Sequence, residues 1–123
     1  NNNISDKGVD LNGVGGIVGF ANGSFVSRCS NSGTVTCVNK GGGILGHGSW
    51  YTVSYCSNTG TVSSNGSGVN GGIVGSAWDN ANILNCQNDG EVNGTFKSGW
   101  TGGIVGSARP ARQEKESSRS RIV

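Results

Sequence analysis

Gly42-Gly43-Ile44-Leu45-Gly46, followed ten residues later by Cys56-Ser57-Asn58-Thr59-Gly60-Thr61-Val62, is one copy of a two-phrase unit that recurs along the chain. Gly-Gly-Ile-Val-Gly begins at Gly15, Gly71 and Gly102, so the first phrase repeats at intervals of 27, 29 and 31 residues. The second phrase, Cys-x-Asn-x-Gly-x-Val, returns as Cys29 to Val35 and Cys86 to Val92. Two phrases in constant order at such a period mark stacked supersecondary units rather than one irregular globule.

Within a unit, Val, Ile and Thr cluster in short runs (Gly43 to Gly46, Thr52 to Cys56, Thr61 to Ser63), separated by Asn-Thr-Gly or Asn-Ser-Gly corners. Such runs favour pleated strands, and such corners favour turns. Gly interrupts every window that could hold a helical stripe. The reading is therefore all-β: a parallel β-solenoid of about three to four coils, roughly three short strands to a coil, with no helix in the body. Residues 1–13 read as a degenerate half-coil or amino-terminal cap, 14–108 as the solenoid repeats, and 109–123 as a polar basic tail, disordered or capping, with Ile122 and Val123 as the apolar contact in the latter case.

Stacking turns each repeat position into a ladder. Ile17, Ile44, Ile73 and Ile104 form one, and Val18, Leu45, Val74 and Val105 its neighbour. Val26, Val53 and Ile83 form a third, and Val35, Val62 and Val92 a fourth. Alternation admits one of each adjacent Ile-Val pair to the interior of a flat strand; a glycine bulge or a second covering layer admits both. Asn31, Asn58 and Asn88 stack as amides that bond from coil to coil. Cys29, Cys56 and Cys86 share one position within disulfide range of each other, with Cys37 apart. Four cysteines allow three full pairings, none of them readable here, and the alternative is a ladder of buried thiols acting as small hydrophobes.

Composition narrows the function classes. Apolar residues make up 33% and Gly occupies 24 positions, too lean for a thick layered core, yet the recurrent Ile and Val clusters argue against disorder. The net charge of +2 is concentrated in the tail, and the repeats carry no basic stripe with which to hold a phosphate backbone, so nucleic acid is not an expected partner. No run approaches the roughly 18 apolar residues of a spanning helix, so membrane insertion is not expected either. An opening at Asn1, without a charged-then-apolar leader, fits a mature or excised segment and a recombinant fragment equally.

No catalytic constellation can be assembled. His47 is the single histidine, set among Gly46, Gly48 and Ser49, and reads as a solvent-facing structural residue. With no Cys-x-x-Cys pair, neither a metal site nor a cofactor is expected. Trp50 and Trp78 fall near the same corner of successive coils and, with Tyr51 and Trp100, form a candidate aromatic strip for a sugar or a protein. Asn3, Asn22, Asn65 and Asn93 begin glycosylation sequons.

Over residues 13 to 108, the recurrent Gly-Gly-Ile-Val-Gly core followed by Asn-x-Gly-x-Val resembles the GLUG-type repeats of bacterial secreted and surface proteins, including noncatalytic regions of IgA-specific metallopeptidases and large adhesins. The Cys in each second phrase departs from the usual pattern of those repeats. The resemblance implies an extracellular or cell-surface β-rich module without enzymatic activity: a stalk, spacer or adhesive contact surface, joined to other segments of a larger surface protein. Two alternatives stand beside it. One is a subunit that assembles end to end with copies of itself into a fibre; the other is a carbohydrate-binding module that holds a glycan on the aromatic strip.

Overall fold

Parallel strands stack into a β-solenoid of about three turns, seen here in a computed structural model. The structure describes residues 13–64, 68–94 and 100–108, together with the backbone of the two-residue strands Ile4–Ser5 and Arg121–Ile122. No helix occurs among the described residues. Each coil contributes to four sheets, one more than the three strands read from the sequence. The runs read around Leu45 and Val53 lie on one strand, Leu45–Ser54, while the short strands on either side of it, Lys40–Gly42 and Ser57–Asn58, have no β-branched run to signal them.

A coil begins on the glycine face, where Val14–Gly15, Lys40–Gly42, Val69–Gly71 and Trp100–Gly102 pair in parallel. It turns through Gly-Ile onto the long face. There Val18–Ser27 and Leu45–Ser54 lie side by side, continued by Val74–Trp78 and Val105–Ala108 over the first half and by Asn82–Leu84 and Arg121–Ile122 over the second. The asparagine face follows, with Ser30–Asn31, Ser57–Asn58 and Gln87–Asn88. Ile4–Ser5, Val35–Cys37, Val62–Ser64 and Val92–Asn93 close the circuit as the valine face.

The Ile ladder is in place: Ile17 N bonds Ile44 O at 3.1 Å, Ile44 N bonds Ile73 O at 3.0 Å, and Ile73 N bonds Ile104 O at 3.0 Å. Its neighbour is too, with Val18 opposite Leu45, Leu45 opposite Val74 and Val74 opposite Val105. Both members of the middle pairs face the interior, since Ile44, Leu45, Ile73 and Val74 are all 0% exposed. The chain bends between them: Ile44 O accepts from both Ile17 N and Val18 N, so the usual alternation is broken at the corner. Ile17, in the first of these tiers, is 46% exposed, and Ile104, in the last, is half-buried, because among the described residues each has a stacking neighbour on one side.

Glycine makes this corner by its lack of volume. A Cβ on Gly42 would stand 2.0 Å from Leu45 O, and one on Gly43 2.2 Å from Gly72 O and 2.5 Å from Asn58 Cγ. Two apolar columns result. The larger joins Ile44, Leu45, Val53, Ile73, Val74 and Ile83 with Cys56; the smaller packs Val14, Val35, Cys37 and Val62. The Val26, Val53, Ile83 ladder and the Val35, Val62, Val92 ladder follow the strand register, which Ile122 and Ile4 extend at opposite ends.

Candidate functional site

Inside the column, the asparagine face is wired as a continuous chain. Asn31 Nδ2 donates to Asn58 Oδ1 and Asn58 Nδ2 donates to Asn88 Oδ1, each at 2.8 Å. Each amide also clamps its own turn: Nδ2 donates to the carbonyl two residues on, at Gly33, Gly60 and Gly90, and Oδ1 accepts from the same residue's N–H. Asn58 is 0% exposed, so bonds made there have no competing water. These amides hold coils together and are turned away from any ligand.

The cysteines run parallel to them. Cys29, Cys56 and Cys86 are free thiols whose Sγ–H groups donate to backbone carbonyls two residues back, at Ser27, Ser54 and Leu84. Burial pushes the Cys56 and Cys86 thiols above their ordinary value, which opposes the thiolate a nucleophile requires. Cys37, also free, donates to Asn70 Oδ1 at 2.9 Å, and Asn70 Nδ2 donates to Asn93 O at 3.2 Å. Asn70 is a second fully buried amide that the sequence did not signal, because its stacking neighbours on the glycine face are Gly41 and Thr101.

His47 corrects the expectation of a solvent-facing residue: it is 6% exposed. Its ring lies 4.6 Å from the Trp78 ring, edge-on at 83°, and 5.6 Å from the Phe20 ring. The covering rings come from the coils on either side, which is why glycine neighbours in sequence hid the burial. Lys40 Nζ sits 5.0 Å from the centre of the Trp78 ring. Burial first, and then the Lys40 charge, hold the imidazole below its ordinary value of 6.5, against a raising contribution from the Ser76 backbone.

The fold therefore prefers neutral His47, while the unfolded chain takes up its proton near pH 6.5. Between the depressed folded value and 6.5 the unfolded state binds more protons, so this contribution to stability is present above 6.5 and is lost as the pH falls through that window. The expected result is a melting temperature that drops from about pH 7.5 to 5.5 in the wild type and drops less in His47→Phe. Equal slopes in the two proteins would refute the assignment.

The four candidate aromatic residues do not form one strip. Trp78 pairs in register with Ser49 rather than Trp50, because it stands seven residues after Gly71 whereas Trp50 stands eight after Gly42. Tyr51 is 2% exposed and belongs to the larger core, with burial raising its phenol and its hydroxyl buried without a partner among the described residues. Trp100 is exposed, but on the glycine face. Of the sequon residues, Asn22 and Asn93 are exposed, whereas Asn3 and Asn65 lie outside the described residues.

Trp50 instead meets a ring that the sequence did not single out. Phe25 is 84% exposed and Trp50 48% exposed, and the two border a groove of about 340 Å³ at the bend of the long face. Gly23, Ser24, Tyr51, Thr52, Asn80 and Asn82 complete its lining. The bend places Gly23, Trp50 and Asn80 in the left-handed region, with φ of 67°, 56° and 59°. A second left-handed corner precedes the cysteines, at Arg28, Tyr55 and Asn85, where the Arg28 guanidinium lies 5.1 Å from the centre of the Tyr55 ring. Bulky residues seldom adopt this conformation, so neither corner announces itself in the sequence.

Fold and interior together define a parallel β-solenoid repeat unit whose buried polar groups join coil to coil. Compared with known proteins, the chain matches no family model, no curated protein and no solved structure.

Proposed function

We propose that this chain is a noncatalytic structural and adhesive module of an extracellular bacterial surface protein, serving as a stalk, spacer or contact surface. The observation that carries the reading is the Asn31–Asn58–Asn88 chain, in which the most regular polar groups of the repeat are spent on joining coils. Polar chemistry invested in stacking favours length and rigidity, and a solenoid gains length one repeat at a time. The large exposed side chains (Phe25, Trp50, Tyr55 and Trp100) stand on the outside of this column, where a contact surface needs them. The resemblance of both repeat phrases to GLUG-type repeats supports the extracellular and bacterial parts of the proposal. An antiserum against residues 13–108 should label intact cells of the source organism as strongly as permeabilised ones. Labelling that requires permeabilisation would overturn the surface assignment.

A second reading, end-to-end assembly of copies into a fibre, is favoured by the strands that close the described stack, such as Trp100–Gly102 on the glycine face and Gln87–Asn88 on the asparagine face, each paired on one side. Size-exclusion chromatography with negative-stain imaging separates the two. A monodisperse monomer of 12.4 kDa eliminates spontaneous fibre formation.

A further inference from the structure

We propose that the groove between Phe25 and Trp50 is a binding site for a neutral, linear oligosaccharide lying along the column axis. The inference rests on the reading of the chain as a contact surface and names what that surface holds. Two protruding rings offer flat apolar faces to the C–H face of a pyranose. Between them the lining supplies hydroxyls (Ser24 and Thr52) and amides (Asn80 and Asn82), groups that bond sugar hydroxyls, and among the described residues it carries no charged side chain. That composition suits an uncharged sugar.

Register sets the direction. Phe25, Thr52 and Asn82 are opposite one another on three successive coils, so equivalent contact points recur at about one strand spacing, 4.8 Å. This is close to the length of one sugar ring in an extended chain. The walls are held by paired backbone, with Trp50 N donating to Asp79 O at 2.8 Å, and so are built before any ligand arrives.

Trp50 provides the independent indication. Its φ of 56° puts a bulky indole where the bends of the neighbouring coils have Gly23 and Asn80, residues suited to that conformation. Stacking of the coils does not require a ring there. Arg28 and Tyr55 hold the same conformation away from this groove, so it is the place of the indole on the groove wall, together with its φ, that points to binding.

The test titrates the full chain with cellotetraose, maltotetraose and xylotetraose, with sialyllactose as the acidic comparison, by calorimetry and tryptophan fluorescence. At least one neutral tetrasaccharide is expected to bind, with sialyllactose weaker. Trp50→Gly removes the ring while supplying a residue suited to the backbone. It should weaken binding roughly tenfold or more. Trp100→Ala, on another face, should keep full affinity. The proposal is overturned if no neutral tetrasaccharide binds, if sialyllactose binds as well as the best of them, or if Trp50→Gly binds like the wild type. The cell-labelling result is independent of all these outcomes, so failure here leaves the surface assignment standing.

Discussion

Gly43→Ala should unfold the chain or bring it close to unfolding, whereas Gly103→Ala should leave stability nearly unchanged, although both residues stand second in the same repeated phrase. At Gly43 the new methyl group would meet Gly72 O at 2.2 Å and Asn58 Cγ at 2.5 Å. Neither neighbour can retreat: the first is backbone of the next coil, and the second is an amide bonded both to its own turn and to the flanking coils. Overpacking ordinarily costs about 1–3 kcal/mol where side chains can shift. Where backbone must move, a cost of about 4 kcal/mol or more is expected, a large share of the total stability of a chain this size. At Gly103 no atom of the described residues lies within 4 Å of the same methyl group, and its φ is not in the left-handed region. Alanine there should shift stability by less than about 1 kcal/mol, on the stabilising side if the unfolded chain is stiffened. Urea denaturation of both variants checks the pair, and similar midpoints for the two would disprove the explanation.

Asn58→Ala should cost on the order of 3–5 kcal/mol, lowering the melting temperature by roughly 10–20 °C. Truncation removes four bonds at once. Asn31 Nδ2 loses an acceptor, Asn88 Oδ1 loses a donor, and both Gly60 N and Gly60 O lose the side chain that satisfied them, at a position with no solvent exposure. Asn31→Ala and Asn88→Ala each break one inter-coil bond instead of two, and Asn88 is half-buried, so water can replace part of what is lost. The middle substitution should therefore be clearly the worst of the three in thermal melts. Equal losses at all three positions would mean that each amide acts on its own turn and that the chain of amides adds nothing.

The architecture was legible wherever one phrase returned in every coil. Ile44 and Asn58 could be placed on ladders because their equivalents occupy the same place in the other units, and stacking follows from periodicity. Contacts between phrases were a different matter. The second glycine of each of the first three Gly-Gly pairs lies against the Asn amide of the same coil, Gly16 on Asn31, Gly43 on Asn58 and Gly72 on Asn88, a proximity that depends on the path of the coil. Positions that vary from unit to unit were equally silent. His47 is aligned with Phe20 and Ser76, so its burial was set by neighbours rather than by its own surroundings in sequence. The groove has no signature in the sequence, because Trp78 stands one place earlier in its unit than Trp50 and falls opposite Ser49, while the second ring, Phe25, occupies a position held by Thr52 and Asn82 in the next two coils.

The three interior amides all point the same way, each handing a proton forward to the oxygen of the next, and this gives the stack a sense of direction. At the Asn31 extremity the chain of amides presents a carbonyl oxygen; at the Asn88 extremity it presents an N–H vector. Whatever continues the stack must respect that sequence of signs, accepting beyond Asn88 and donating ahead of Asn31. Inverted joining, like extremity to like extremity, would set oxygen against oxygen or hydrogen against hydrogen, so growth of such a filament, within one polypeptide or between several, is restricted to a single heading.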